Sequence, residues 1–119
     1  MNRTVLVIED DDSIRESLDE FLTTEGYSVL VAENGQRGIE MLSAPLTVKP
    51  SLILLDLTMP VMNGDEFLKA QKQDARWSSI PTVVLTAAGG REKPELANGF
   101  VKKPIDLDDL LAVIHKYLG

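Results

Sequence analysis

Four short apolar runs of strand length, each closed by a polar residue, constrain this chain more than any other feature. Val5-Leu6-Val7-Ile8 leads into Glu9-Asp10, Leu52-Ile53-Leu54-Leu55 into Asp56, Thr82-Val83-Val84-Leu85 into Thr86, and Phe100-Val101-Lys102 into Lys103. A strand with one solvated face alternates apolar and polar residues. One that is apolar throughout is covered on both faces, as in a parallel sheet held between two layers of helix. Ligands of open parallel sheets sit beyond the carboxyl ends of the strands, so carboxylates, a hydroxyl and an ammonium are expected along one edge.

The intervening stretches read as helices. Ile14, Leu18, Phe21 and Leu22 recur at helical spacing, Asp11 or Asp12 can cap their start, and Gly26 follows the last turn. Tyr27 to Ala32 predicts another strand, and Asn34-Gly35 turns into a short helix carrying Ile39, Met41 and Leu42 before Pro45 and Pro50. Met59-Pro60-Val61-Met62-Asn63-Gly64 predicts a loop, followed by a helix with Phe67, Leu68 and Ala70 that leads toward Trp77 and Pro81. Asp106 is placed to cap a last helix with Leu107, Leu110, Leu111, Ile114 and Leu118 on one face, stopping at Gly119. Five strands with intervening helices predict an α/β, doubly wound three-layer sandwich with a five-stranded parallel sheet and right-handed crossovers, a single domain over residues 1–119. Between Thr86 and Lys103, Gly89-Gly90 and Pro94 leave room for at most a turn or two of helix near Glu95 to Asn98.

Charge and composition narrow the function. A net charge of −7 argues against direct nucleic acid binding, which needs a basic face to release phosphate counterions. Without cysteine there is no disulfide framework and no thiolate chemistry, and no apolar stretch is long enough to span a bilayer. The expectation is a cytoplasmic protein with no membrane attachment.

If Glu9, Asp10 and Asp56 meet at the sheet edge, each carboxylate pair about 4 Å apart repels by roughly 4 kcal/mol at an effective dielectric near 20. Raised pKa values or a bound cation resolve that conflict. Oxygen ligands without histidine or cysteine select magnesium, manganese or calcium, and room for waters and a phosphoryl group fits Mg2+ best. Asp56, at the tip of the central run, is then placed as a nucleophile toward phosphorus, with Lys103 and Thr86 supplying donors to the phosphoryl oxygens.

These residues carry a resemblance to the response-regulator receiver domain of two-component signalling. Val7-Ile8-Glu9-Asp10-Asp11 matches its acidic pair, Leu54 through Gly64 its phosphoacceptor segment, Val84-Leu85-Thr86-Ala87 its switch hydroxyl, and Lys103-Pro104 its lysine. The resemblance implies a flavodoxin-like sheet of order 2-1-3-4-5 and phosphorylation of Asp56 by a histidine kinase or phosphotransfer protein. It also implies Mg2+ held by Asp10, by Glu9 through water, by Asp56 and by the Thr58 backbone carbonyl. Lys103 would pair with the phosphoryl group, Thr86 would swing toward it, and the Phe100 rotamer would follow. Ala87 would leave the acceptor open, and the Lys103-Pro104 peptide is expected to be cis. Catalysis would be confined to self-phosphorylation and autodephosphorylation. Glu9 stands where the family more often has aspartate, and the connection from Thr86 to Lys103 is shorter than usual, so the family's fourth helix is expected to be short or absent and the output surface altered.

Plainer roles compete at several positions. Asp11 and Asp12 read as caps, Lys102 as a solvated neighbour and His115 as a surface residue rather than a relay histidine, while Phe100 can equally be a core aromatic. Trp77 and Tyr117 carry no clear chemistry. Two other functions compete with this one: a phosphorylation-independent interaction domain, against which Asp56, Thr86 and Lys103 count, and an aspartate-nucleophile phosphatase. The phosphatase usually has a second acid two residues after the nucleophile, where this chain has Thr58.

Overall fold

Strands apolar at every position must find cover on both sides, and in the computed structural model three of them do. β1 (Thr4–Ile8), β3 (Leu52–Asp56) and β4 (Thr82–Thr86) are buried at every residue, whereas β2 (Ser28–Ala32) and β5 (Gly99–Lys102) are partly exposed and form the edges. The structure describes residues 3–44, 49–86 and 93–118. All strands pair in parallel in the order β2-β1-β3-β4-β5, the expected arrangement.

Alternation along the strands divides the core into two layers. Leu6, Ile8, Ile53, Leu55 and Val84 pack with Leu42 of α2 (Gly35–Ser43) and with Phe67 and Leu68 of α3 (Gly64–Lys72). Val5, Val7, Leu52, Leu54, Val83 and Leu85 pack on the other face with Leu18 and Leu22 of α1 (Asp12–Thr24) and with Leu110 and Ile114 of α4 (Leu107–Leu118). Each fully buried leucine contributes roughly 1.5–3 kcal/mol, so these two layers dominate stability.

Local signals set the helix starts. The carboxylate of Asp11 accepts the Ile14 N–H at 2.9 Å, and the Asn34 side chain accepts the Arg37 N–H at 2.8 Å. Asn63 and Glu66 form a reciprocal capping box, and Asp106 accepts the N–H groups of Asp108 and Asp109. The face of α4 differs from the expected one. Leu107 is exposed and Leu111 half-buried, while Leu110, Val113, Ile114 and Tyr117 pack inward, a clean i, i+3, i+4, i+7 stripe.

The β4–β5 connection has no helix among its described residues. At 93–98 there is one turn, closed by the Ala97 N–H on the Pro94 carbonyl at 3.0 Å. Asn98 ties it to the sheet, donating its N–H to the Thr82 carbonyl at 2.8 Å and accepting the Thr82 N–H on its side chain at 2.9 Å. Pro45, Ala87, Gly89-Gly90 and Gly119, to which expectations were attached, lie outside the described residues.

One buried polar residue escaped the sequence reading. Gln71 of α3 is fully buried; its amide N–H2 donates to the Trp77 and Ile80 carbonyls at 3.1 and 3.0 Å, and its oxygen accepts the Thr82 hydroxyl at 2.8 Å. It thereby adds a donor to each of two carbonyls in the irregular segment between α3 and β4, beside the Ile80 N–H on Trp77 and the Lys72 ammonium on Ile80. Replacing Gln71 with Leu is expected to lower unfolding free energy by about 1–2 kcal/mol, because two buried carbonyls and a hydroxyl each lose one of their partners. Urea unfolding followed by Trp77 fluorescence measures it, and an unchanged midpoint refutes the assignment.

Candidate functional site

Adjacent parallel strands deliver consecutive chain ends to one height. Ile8 pairs with Leu55, so Glu9-Asp10 and Asp56 leave the sheet side by side, and Glu9 adds a further ladder bond to the Ala32 carbonyl at 3.1 Å. Carboxylate oxygens of Glu9, Asp10 and Asp56 lie within 4.8 Å of one another. Glu9 is fully buried and Asp56 nearly so, whereas Asp10 is exposed and faces the opening.

Lys103 reaches this cluster from the loop after β5. Its ammonium donates to Glu9 Oε1 at 2.7 Å and stands 3.5 Å from Asp56 Oδ1. The peptide that follows it, Lys103–Pro104, is cis. The other Glu9 oxygen accepts the Asp11 N–H at 3.2 Å, and Asp56 Oδ1 accepts the Thr58 N–H at 3.1 Å. Thr86 closes β4 beside them, buried, its carbonyl accepting the Lys103 N–H.

Three acids facing one ammonium leave excess negative charge, and Asp56 takes most of the consequence. Burial, then its hydrogen bonds with Glu9 and Asp10, push its carboxyl up to about 7, against the downward pull of the Thr58 N–H. Asp10 moves the other way. Its burial opposes ionisation, but hydrogen bonds with Asp56 and Glu9 outweigh that and hold it below the usual carboxylate range. For Lys103, burial favours the neutral amine, yet the Glu9 hydrogen bond and the charges of Glu9 and Asp56 raise it overall.

The loop after Asp56 folds back tightly on its own strand. A Cβ on Gly64 would lie 2.7 Å from Leu57 Cα and 2.8 Å from the Asp56 carbonyl oxygen, so only glycine fits where α3 begins. Val61 at the loop tip has φ of 68° and is 79% exposed. A β-branched residue in the left-handed region is strained, and no burial compensates it there.

The structure thus brings together Glu9, Asp10, Asp56 and Lys103, with the Thr58 backbone and Thr86 at the rim. In it Lys103 is bound to Glu9, a pairing that the sequence alone did not indicate. Phe100 is 47% exposed and is therefore no core aromatic; strand alternation puts it on the sheet face opposite Val101. His115 is exposed on α4, the surface position expected for it. Arg15 was missed. Its guanidinium donates to the Glu9 carbonyl at 2.9 Å, and the signal for it was a cation one turn past four consecutive acids.

The donor set fits a hard dication: carboxylate oxygens from three positions, one of them open to solvent, and an uncompensated charge. Among the described residues no helix is long and apolar enough to cross a membrane.

Comparison with known proteins gives a consistent result. A family model described as the response regulator receiver domain matches residues 5–115. Response regulator Rre1 of Synechocystis is 34% identical over 98% of this chain and 52% of its own length. Sporulation initiation phosphotransferase F of Bacillus subtilis is 33% identical over 99% of this chain and 95% of its own length. Among solved structures, the chemotaxis response regulator CheY4 of Vibrio cholerae superposes with a TM-score of 0.87 at 28% identity, covering 99% of this chain and 100% of that one. The chain spans about half the length of several curated relatives, Rre1 among them, and nearly all of others.

Two stability measurements test the site. In chelator, folded Asp56 keeps its proton up to about 7 whereas the unfolded carboxyl loses it near 3.8, so the native state binds the extra proton and stability falls as pH rises between those values. Asp56→Asn is expected to flatten that decline in urea titrations, and a parallel decline in both proteins contradicts it. Val61→Asn, which tolerates the left-handed region, is expected to raise unfolding free energy by about 1 kcal/mol; a loss shows that Val61 is not strained.

Proposed function

We propose, for a chain that belongs to the response regulator receiver domain family, that Asp56 accepts a phosphoryl group from a histidine kinase or phosphotransfer protein and that the modification switches a partner-binding surface. The observation that carries this reading is the convergence of Asp56 with Glu9, Asp10 and Lys103 at neighbouring strand ends.

The residues act as follows. A carboxylate oxygen of Asp56 attacks phosphorus and displaces the donor, which requires Asp56 ionised. Asp10, Asp56, the Thr58 carbonyl and, through water, Glu9 would hold Mg2+, which when bound would supply positive charge to keep Asp56 ionised and to offset charge on the phosphoryl oxygens. Lys103, already 3.5 Å from Asp56, extends its pairing from Glu9 to the new phosphoryl group. The Thr86 hydroxyl turns toward the same group, and Phe100, exposed on the adjacent strand, follows it. The added charge of roughly −1.5 to −2 is the input to the switch.

The domain spans residues 1–119, works in the cytoplasm and does not itself bind nucleic acid, a reading supported by its net charge of −7. Chemistry is confined to self-phosphorylation and autodephosphorylation, since Thr58 occupies the position where an aspartate phosphatase would carry its second acid. With no helix among the described residues of the β4–β5 connection, the output surface is built from β5, the adjoining turn and α4.

Incubation with a small acyl phosphate and magnesium is expected to add the mass of one phosphoryl group to the protein and none to Asp56→Asn. Equal labelling of both, or labelling that survives chelation undiminished, overturns the proposal. Lys103→Ala is expected to slow labelling by about a hundredfold, the usual loss on removing one transition-state donor.

A further inference from the structure

We propose that Arg15 is a positioning residue that presets the Glu9–Asp10 turn to receive the divalent cation, an inference that rests on the phosphoacceptor reading above. After the Glu9 ladder bond the chain leaves the sheet, and α1 begins only at Asp12, so the Glu9 and Asp10 carbonyls stand outside regular structure. Arg15 Nη1 donates to the first at 2.9 Å and approaches the second at 3.5 Å. Its Nη2 is held by the Asp12 carboxylate, and its backbone is rooted in α1 through the Asp11 carbonyl at 2.9 Å. The side chain thus curls back over the start of its own helix and is only 18% exposed.

The helix dipole opposes a cation in that placement, and the Asp12 carboxylate offsets it. The first turn of a helix carries the positive end of its dipole, where acidic residues are favoured. Ordering a long side chain there adds an entropic cost. What the placement achieves is geometric: binding two successive carbonyls fixes two successive peptide planes, and these set the direction of the Asp10 side chain between them. Asp10 is the exposed member of the acidic cluster, its side chain in contact with Asp56 and Glu9 and otherwise open to solvent. Outer groups that orient ligands in this way commonly account for a tenfold to hundredfold difference in metal affinity.

The sign of the effect separates positioning from field. Removing a positive charge near a dication site strengthens binding if the field dominates, whereas removing the clamp weakens it. Magnesium binding is measured by calorimetry on the parent, Asp10→Asn, Arg15→Ala, Arg15→Met and Arg15→Lys, with folding of each checked by circular dichroism. Arg15→Ala is expected to weaken binding about tenfold. Arg15→Met, which keeps the apolar stem, is expected to match it, so the test survives if the alanine variant does not fold. Arg15→Lys, which keeps a donor for the Glu9 carbonyl, is expected to recover most of the affinity. Asp56 labelling at saturating magnesium stays within about twofold of the parent in Arg15→Met, because the loss lies in binding rather than in the chemical step.

Affinity unchanged or higher in Arg15→Met, or no recovery in Arg15→Lys, overturns the inference while leaving the phosphoacceptor reading intact. A parent that binds no magnesium, or binds it as well as Asp10→Asn does, removes that reading and this inference with it.

Discussion

The ion pair between Lys103 and Glu9 joins residues 94 positions apart and closes the site. Glu9 is fully buried, and an unpaired carboxylate there would be strongly destabilising, so the ammonium is a structural requirement before it has any role in chemistry. The pair ties the loop after β5 to the end of β1, across the two strands that lie between them. One ammonium offsets only part of the charge of three acids, and Asp56, buried and pressed by Glu9 and Asp10, is the one whose carboxyl is pushed up. A single contact therefore shapes the site and offsets part of its charge.

Around that contact the structure separates rigid from adjustable parts. β1, β3 and β4 are buried on both faces, so the ends that carry Glu9, Asp56 and Thr86 are fixed by packing. Asp10, Val61 and Phe100 are exposed on the loops and edge around them. A phosphoryl group would enter between a fixed floor and a movable rim, the arrangement a two-state surface requires. The turn at 93–98 is held to β4 by Asn98 and to α4 by the Tyr117 hydroxyl on the Asn98 carbonyl at 2.8 Å, so the strand edge beside Phe100 is anchored without a helix in the described part of that connection.

Much of this was legible in the chain. Runs of consecutive apolar residues identify β1, β3 and β4, because burial on both faces leaves a pattern readable within five residues. Asp11, Asn34, Asn63 and Asp106 mark helix starts by a local hydrogen bond, which needs no tertiary partner. The four strand-end residues were identified with them, since a polar residue closing a buried strand can only lie at an edge. The resemblance then supplied the strand order and the roles.

Other features depended on distant neighbours. Gln71 reads as an ordinary helix residue until the chain from Trp77 to Thr82 turns back over it, and α4 turns Leu107 outward because Tyr117 and Val113 face the sheet instead. Whether Lys103 pairs with Glu9 or Asp56, and whether Arg15 reaches the Glu9 carbonyl, depends on distances between loops that no local pattern encodes. The sequence by itself determined which residues stand at the sheet's carboxyl edge, because hydrophobic periodicity and capping act over a few residues. Only the tertiary structure decided which of them touch, because a buried charge is paired by whatever the folded chain brings within about 3 Å of it.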